Sequence, residues 1–250
     1  MVVNDNWYAD FFDEDYLRIY GPDLSEERTE QETDHIVERL ALPPGSTVLD
    51  LCCGHGRHSI ALTERGFQVT GQDLSAVFLE KARADAAEAG VLVRWVHGDM
   101  RQVPFEKEFD AAINMFSAFG YLESEEEDQK VLNQVHRALK PGGQFLLETI
   151  HRAWLIRNFE SRGWHIGAEG VVVLEERQFN LLTGRNQVTV TLIDHDGARH
   201  LRQHAMRIYS AAELVRMVAQ TGLTVEAAYG ALDGRELTLD SNRLVLLARR

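Results

Sequence analysis

The segment Val48-Leu-Asp-Leu-Cys-Cys-Gly-His-Gly-Arg57 decides the fold, because its pattern predicts a buried β-strand that turns through two glycines into a helix. Gly54 and Gly56 allow the backbone to approach a ligand where any Cβ atom would collide with it. The helix that follows directs its free N–H groups and the positive end of its dipole into the same space. The segment therefore predicts a corner that binds a cofactor.

The pattern of glycines disfavours a dinucleotide at this corner. A pyrophosphate-binding turn has the pattern Gly-x-Gly-x-x-Gly, in which the third glycine permits close packing of helix and strand. Ser59 stands where that third glycine would be. Asp50, on the strand itself, is expected either to hold the turn or to lie near a cationic amino-acid moiety.

A second predicted strand, which begins at Phe67, ends in an acid at Asp73. This acid follows the first glycine by 19 residues (73 − 54). A carboxylate in this position can accept hydrogen bonds from both hydroxyls of a ribose, and such bonds contribute about 1.5–3 kcal/mol each. We therefore predict that Asp73 is the main determinant of nucleoside binding; the alternative is a cap on the next helix.

Four motifs, in the same order, resemble the class I S-adenosylmethionine-dependent methyltransferases over most of the chain. They are the glycine motif from Val48 with the acid Asp73, the segment 97–100 after a third strand, the fourth strand and its exit at 109–121, and the turn into a fifth strand at 139–147. The resemblance implies S-adenosyl-L-methionine as cofactor and S-adenosyl-L-homocysteine as product.

The resemblance also implies a set of cofactor contacts. The acid Asp99 would meet the adenine amine beside its apolar neighbour Met100, and Met115 would lie against the adenosyl group. Apart from Arg28, which is described next, the predicted cofactor contacts are Asp50, Cys52, Gly54, Gly56, Asp73, Leu74, Asp99, Met100 and Met115.

Within the family, the sequence resembles the small-molecule N-methyltransferases such as glycine N-methyltransferase and the amino-sugar enzymes. An Arg-Thr pair lies the same distance before the strand acid in glycine N-methyltransferase as Arg28-Thr29 does here, and this likeness implies that Arg28 holds the carboxylate of the cofactor. The segment from 110 to 122 aligns without a gap and implies that Tyr121 lies near the reacting centre. Ser117 stands where the related enzyme has an amide, which puts glycine as the substrate in doubt.

The predicted chemistry makes few demands on the protein. A methyl group on a sulfonium is already electrophilic, so the enzyme chiefly holds a nucleophile in line behind it and excludes water. Tyr121 and His151, just past the fifth strand, are candidates for orienting the substrate or accepting its proton. The resemblance favours an amine nitrogen as acceptor, while oxygen, sulfur and carbon nucleophiles remain open.

The order of predicted elements divides the chain into three parts. Residues 1–28, rich in aromatic and acidic side chains, are expected to form a lid. Residues 29–170 and 209–250 alternate strands and helices, which favours a Rossmann-like α/β domain with a seven-stranded, mostly parallel sheet and an antiparallel last strand. The alternating pattern of residues 171–208 predicts three antiparallel strands. They resemble the inserted sheet that covers the substrate site in the small-molecule subgroup.

Composition narrows the partners and the location. With 250 residues, 44% hydrophobic residues and a formal charge of −13, the chain suits one α/β domain and is a poor partner for nucleic acid. Cys52 and Cys53 are adjacent and suit neither a disulfide nor a metal, which indicates a reducing, cytoplasmic location.

No signal peptide or membrane span is predicted. His55 and His58 lack a third ligand, so no metal is expected. The oligomeric state is not predicted.

Two other classes of function stay open. Methylation of a macromolecule is disfavoured for nucleobases and glutamine, because Asn114-Met-Phe-Ser117 replaces the Asn/Asp-Pro-Pro-aromatic exit used with such planar groups. Other protein or RNA targets are compatible with the sequence. A dehydrogenase or a non-catalytic nucleoside binder on the same fold is the third class, and binding of NAD alone would favour it.

Overall fold

The computed structural model describes residues 6–250. Seven strands form one sheet in the order β10-β11-β5-β4-β1-β2-β3, and four form a second sheet in the order β6-β7-β8-β9. The strands are β1 (Thr47–Leu51), β2 (Gln68–Asp73), β3 (Arg94–His97), β4 (Phe109–Asn114), β5 (Leu139–Ile150), β6 (Arg162–Ile166), β7 (Val172–Asn180), β8 (Arg185–Ile193), β9 (Arg199–Arg207), β10 (Thr224–Tyr229) and β11 (Arg243–Arg249).

The helices alternate with the strands of the larger sheet. They are α1 (Tyr8–Phe11), α2 (Glu14–Tyr20), α3 (Glu26–Leu40), α4 (Arg57–Glu64), α5 (Ala76–Glu88), α6 (Glu125–Ala138), α7 (Arg152–Arg157) and α8 (Ala211–Gln220). Serines begin several of them: the hydroxyl oxygens of Ser25, Ser75 and Ser210 accept the backbone N–H groups of Arg28, Phe78 and Glu213. These caps fix where the helices start, and therefore where the loops at the strand ends lie.

The larger sheet is mostly parallel, as predicted. β1 lies between β2 and β4 and pairs in parallel with both. Its residues from Val48 to Leu51 are buried on both faces, which is typical of a central strand in a parallel sheet. β11 runs antiparallel to both β5 and β10, so the predicted fold class is confirmed.

The smaller sheet is antiparallel throughout. β7, β8 and β9 are the three strands predicted between residues 171 and 208, and β6 adds an edge strand that begins at Arg162. One face of this sheet packs around Ile19 of α2 with a small apolar core. That core comprises Ile19, Val171, Val173, Val188, Val190 and Leu192.

The N-terminal helices α1 and α2 attach to this smaller sheet. Arg202 of β9 forms ion pairs with Asp13 (3.3 Å) and Asp15 (2.5 Å), and Arg18 pairs with Asp194 at the end of β8. A contact with the larger domain is the bond from the Ser75 hydroxyl to the carbonyl of Phe12 (2.7 Å). Residues 1–5 of the predicted lid lie outside the described residues. Among the helices of residues 6–250, none is both long and apolar enough to cross a membrane.

Candidate functional site

The turn after β1 bends through left-handed backbone positions. Cys52, Gly54 and Gly56 have φ angles of 61°, 58° and 83°. The N–H of Gly54 donates to Oδ2 of Asp73 (2.7 Å). A Cβ at Gly56 would overlap the indole of Trp95, so this glycine permits close packing of Trp95 against the start of α4, and it is not among the residues that line the cavity described below.

Asp73 at the end of β2 connects the turn to the next helix. While Oδ2 accepts from Gly54, Oδ1 accepts the N–H of Ser75 (2.8 Å). Burial raises the pKa of Asp73. An ionised carboxylate has about four acceptor positions, so two remain for ligand hydroxyls. The carboxylate therefore holds the turn and still faces the cavity beside it.

A cavity of about 950 Å³, partly open to solvent, lies where β1, β2 and β4 end. This volume includes the part of the cavity that is open to solvent. The structure brings together most of the predicted site residues there. Those lining the cavity are Asp50, Cys52, Gly54, Asp73, Leu74, Asp99, Met100, Met115 and Tyr121.

His151 and Arg28 are not among the residues that line this cavity. The ring of His151 is buried and bonds through Nδ1 to the carbonyl of Ser241 (2.9 Å). Arg28 instead lines a neighbouring surface depression, where its guanidinium bonds to Glu32 (2.8 Å). Both side chains thus have hydrogen-bond partners outside the cavity.

Asp50 is fully enclosed on the cavity floor. Its Oδ2 accepts the hydroxyl of Ser59 on α4 (2.7 Å). Burial raises its pKa to about 6, and the bond from Ser59 and, to a smaller extent, the charge of Arg57 partly offset this rise. Asp50 thus ties strand to helix, as one of the two predicted roles requires.

At another side of the cavity, the carboxylate of Asp99 pairs with Arg101 through bonds of 2.5–3.0 Å. Burial alone would raise the pKa of Asp99, but the bonds from Arg101 hold it below its usual range. Met100 lies beside it, with its sulfur 3.5 Å from Sγ of Cys52. This edge of the cavity therefore has one charged group, the carboxylate of Asp99, and two apolar sulfur-containing side chains, Met100 and Cys52.

The loop after β4 carries Tyr121 and is unusually constrained. Phe116, Ser117 and Gly120 have positive φ angles of 54°, 61° and 98°. The buried Glu148 of β5 accepts the N–H of Phe116 through its side chain (2.7 Å) and that of Ser117 through its carbonyl (3.1 Å). Such backbone strain persists only where the surroundings fix it. The bonds to Glu148 of β5 therefore fix the start of the loop in one position.

The smaller sheet holds the same loop from its other end. The N–H of Arg207 on β9 donates to the carbonyl of Gly120 (2.7 Å), and the guanidinium of Arg185 on β8 donates to the carbonyl of Leu122. Tyr121 lies between these two anchors. Its position thus depends on both sheets.

Aromatic side chains from α1, from Phe12 just after it, from α2 and from this loop form one wall of the cavity. We call Tyr8, Phe12, Tyr16 and Tyr121 the aromatic wall. The ring of Tyr121 packs against Phe12, with the ring centres 5.4 Å apart. Burial raises the pKa of Tyr16 and that of Tyr121 far above their usual range, so both hydroxyls stay protonated at neutral pH.

His204 of β9 packs behind this wall and was not predicted as a site residue. Its ring centre lies 4.8 Å from that of Phe11, and Nε2 is 3.4 Å from the hydroxyl of Tyr20. Burial lowers the pKa of His204 to about 4, so the imidazole is neutral at physiological pH. The wall and its backing therefore present rings and hydroxyls without a formal charge.

Arg57 is a second residue that sequence analysis missed. It is the first residue of α4, lines the cavity, and its side chain is only 10% exposed. Nη1 bonds to Glu32 (2.6 Å) and to the hydroxyl of Thr29 (3.1 Å). The signal that could have found it is a cation directly after Gly56, at the positive end of a helix.

The two histidines near the glycine turn are enclosed. Burial lowers the pKa of both His55 and His58 to about 4, and Nε2 of His58 is 3.0 Å from Glu32. Within the described part of the chain, no group of three or more His, Cys, Asp or Glu side chains is arranged to hold a metal ion.

Comparison with known proteins identifies the central part of the chain. Residues 48–143 match the family model described as a methyltransferase domain. A curated relative, the dTDP-3-amino-3,4,6-trideoxy-alpha-D-glucopyranose N,N-dimethyltransferase of Streptomyces venezuelae, is 29% identical over 241 residues, which cover 92% of this chain and 95% of the relative.

A second relative, the glycine/sarcosine N-methyltransferase of Aphanothece halophytica, is 36% identical over 123 residues, or 48% of this chain and 46% of that protein. The chain spans about half the length of this relative and of two others that it matches.

Among solved structures, an S-adenosylmethionine-dependent methyltransferase from Clostridium acetobutylicum ATCC 824 superposes with a TM-score of 0.80 at 18% identity. The match covers 94% of this chain and 95% of that one, and it shows the shared fold. For this domain, the comparisons confirm the predicted resemblance to methyltransferases, and the solved structure shares its fold.

Proposed function

We propose that this chain, which carries a methyltransferase domain on the fold of the S-adenosylmethionine-dependent methyltransferases, transfers a methyl group from that cofactor to the amine nitrogen of a small molecule. One observation carries the proposal: a single cavity joins a carboxylate fixed at a glycine turn, Asp73, to an uncharged aromatic wall. The fixed carboxylate suits a nucleoside, and the aromatic wall suits an acceptor that is shielded from water.

The residues present fit the cofactor. Asp73 keeps two acceptor positions for the ribose hydroxyls, and the cradle beside it is open at Gly54, where an added Cβ would meet only the ring of Phe78 at 3.9 Å. We assign the adenine to the edge formed by Met100, Asp99 and Leu74, and the adenosyl group to Met115.

The cofactor supplies an electrophilic methyl group when bound. The protein then has to hold the acceptor in line and keep water out, and positioning of this kind lowers a barrier by roughly 7–11 kcal/mol. We assign the positioning to Tyr121, whose loop is fixed by Glu148 and Arg207. Its protonated hydroxyl donates a hydrogen bond or accepts one from an N–H, so it orients a neutral amine without removing a proton.

The aromatic wall supports an amine as the acceptor. Methylation of a neutral amine creates an ammonium, and the faces of Tyr and Phe rings attract such a cation. The lid from α1 and α2 and the smaller sheet enclose this side, which favours a small molecule over a folded macromolecule. The relatives named above act on an amino sugar and on glycine or sarcosine, which also favours a small amine.

The test is a metabolite extract incubated with the protein and S-adenosylmethionine that carries an isotopic label in its methyl group. We expect label in a low-molecular-weight amine, and label in protein or RNA alone would overturn the acceptor class. Calorimetry with S-adenosylhomocysteine and NAD tests the cofactor independently. Binding of NAD without S-adenosylhomocysteine would overturn the function altogether.

A further inference from the structure

The cavity contains an arginine with an unused donor. Nη2 of Arg57 is buried and has no hydrogen-bond partner among the described residues, although the side chain is nine-tenths enclosed. A buried guanidinium N–H without a partner is costly, and native sites that contain one commonly complete it with a ligand. Because Arg57 also lines the cavity, its unused donor is available to an acceptor that binds there.

Neighbouring side chains fix Arg57 in place. Nη1 is held by Glu32 (2.6 Å) and Thr29 (3.1 Å), both on α3. Burial alone would raise the pKa of Glu32, but its bond with His58 and the charge of Arg57 hold it well below the usual range. Glu32 is thus ionised at any working pH, and it anchors one side of the guanidinium while the other side stays free.

Unlike Arg57, Arg28 does not line the cavity, and it has an ion-pair partner on each side of its guanidinium. Its Nε is bonded to the other oxygen of Glu32 (2.8 Å), and its Nη1 lies 3.7 Å from Asp23. Both arginines lie over the ring of Phe116, with the guanidinium carbons of Arg28 and Arg57 at 5.3 Å and 5.5 Å from its centre. Arg28 therefore acts on the cavity through Glu32 rather than by direct contact.

The floor of the cavity has a charge pattern that matches an amino-acid zwitterion. Asp50 lies on the floor with Ser59 as its partner, and the charge of Arg57 reaches it. An ammonium would be attracted to Asp50 and a carboxylate to Arg57. The two residues are seven positions apart, on either side of the glycine turn.

We propose that Arg57, and not Arg28, binds the carboxylate of the cofactor's amino-acid part, with Glu32 and Thr29 as its positioning residues. The inference rests on the proposed function, because it assumes an adenosyl amino acid in this cavity. It replaces the role that the family resemblance implied for Arg28.

The experiment compares two ligands by calorimetry: S-adenosylhomocysteine, and 5′-methylthioadenosine, which lacks the amino-acid part. We expect Arg57→Gln to weaken S-adenosylhomocysteine about 10- to 100-fold and to leave 5′-methylthioadenosine within about twofold. Binding of 5′-methylthioadenosine also shows that the variant is folded around its cavity. Arg28→Gln is the matched control, and we expect a loss of less than about fivefold.

Decarboxylated S-adenosylmethionine separates the carboxylate from the ammonium, and Arg57→Gln should bind it as tightly as the wild type does. An equal loss for all three ligands would overturn the proposal in favour of a structural role for Arg57. A selective loss in Arg28→Gln instead would return the carboxylate to Arg28. If the wild type binds 5′-methylthioadenosine and S-adenosylhomocysteine with equal affinity, the proposal also fails, whereas binding of neither ligand would defeat the proposed function itself.

Discussion

Arg207 and Gly120 join the smaller sheet to the loop that carries Tyr121. The N–H of Arg207 donates to the carbonyl of Gly120 (2.7 Å), and a Cβ at Gly120 would overlap the carbonyl oxygen of Arg207. Gly120 also has a φ of +98°, a conformation that side chains rarely adopt. The two sheets therefore meet at a point where no residue other than glycine fits.

Gly120→Ala is expected to lower the melting temperature by several degrees and turnover by about tenfold or more, because the loop must move away from β9. Gly142→Ala is the control: its φ is +80°, but nothing lies within 4 Å of the added Cβ. Thermal unfolding and initial rates measure both. Equal effects of the two substitutions would show that backbone strain alone, and not the junction, is responsible.

Asp73→Ala is expected to weaken S-adenosylhomocysteine about 100-fold or more, because two charge-assisted bonds to the ribose are lost. Asp85→Asn, an acid of α5 paired with Lys81, controls for the change of charge. Calorimetry is the measurement. It should also show that removing the 2′-hydroxyl from 5′-methylthioadenosine weakens binding to the wild type but not to the variant; unchanged affinity in Asp73→Ala would contradict the assignment.

Tyr121→Phe is expected to reduce turnover about 10- to 100-fold while affinity for S-adenosylhomocysteine stays within about twofold. Only the hydroxyl is removed, so the packing against Phe12 remains. His151→Asn is the contrasting variant, because that ring bonds to Ser241 away from the cavity. It should lower the melting temperature without changing turnover, and the reverse pattern would make His151 the catalytic group.

Asp128 makes the stability depend on pH. Burial raises its pKa to about 7, although the hydroxyl of Tyr209 donates to it (2.7 Å). An unfolded aspartate has a pKa of about 3.9, so the folded state holds an extra proton between about pH 4 and pH 7. The stability contributed by this proton is present at the acidic end of that window and is lost as pH rises through it.

Asp128→Asn keeps the shape of the side chain and removes its charge. We expect the melting temperature of the variant, relative to the wild type, to rise between pH 5 and pH 8 by several degrees. Asp34→Asn, an exposed acid paired with Arg65, should show no such trend. A difference that is constant with pH, or that falls as pH rises, would contradict the assignment.

The parts of the site that sequence analysis located are those that one short segment specifies. Asp73 ends a strand and follows the glycine turn at a fixed spacing, so its place beside Gly54 follows from the order of the elements. Met115 and Tyr121 were located through the family resemblance of the segment 110–122, and both line the cavity.

The parts that it missed depend on packing between distant segments. Arg28 and Arg57 lie on α3 and α4, and the way these helices meet at Glu32 decides which arginine faces the cavity. His151 follows β5 directly, yet the loop before β11 brings Ser241 against it. β6 has five residues on a sheet edge with no residue fully buried, so its pattern is weak.

The ion pairs of Arg202 with Asp13 and Asp15, and of Arg18 with Asp194, define which parts of this chain would have to be exchanged together in a chimera. A donor sheet grafted in place of residues 162–207 would leave Asp13, Asp15 and Arg18 opposite foreign side chains, and it would replace the valines and the leucine that pack on Ile19. The segment 8–20 must therefore travel with the graft. The segment 8–20 and residues 162–207 thus form one structural cassette that is drawn from two separate stretches of the chain.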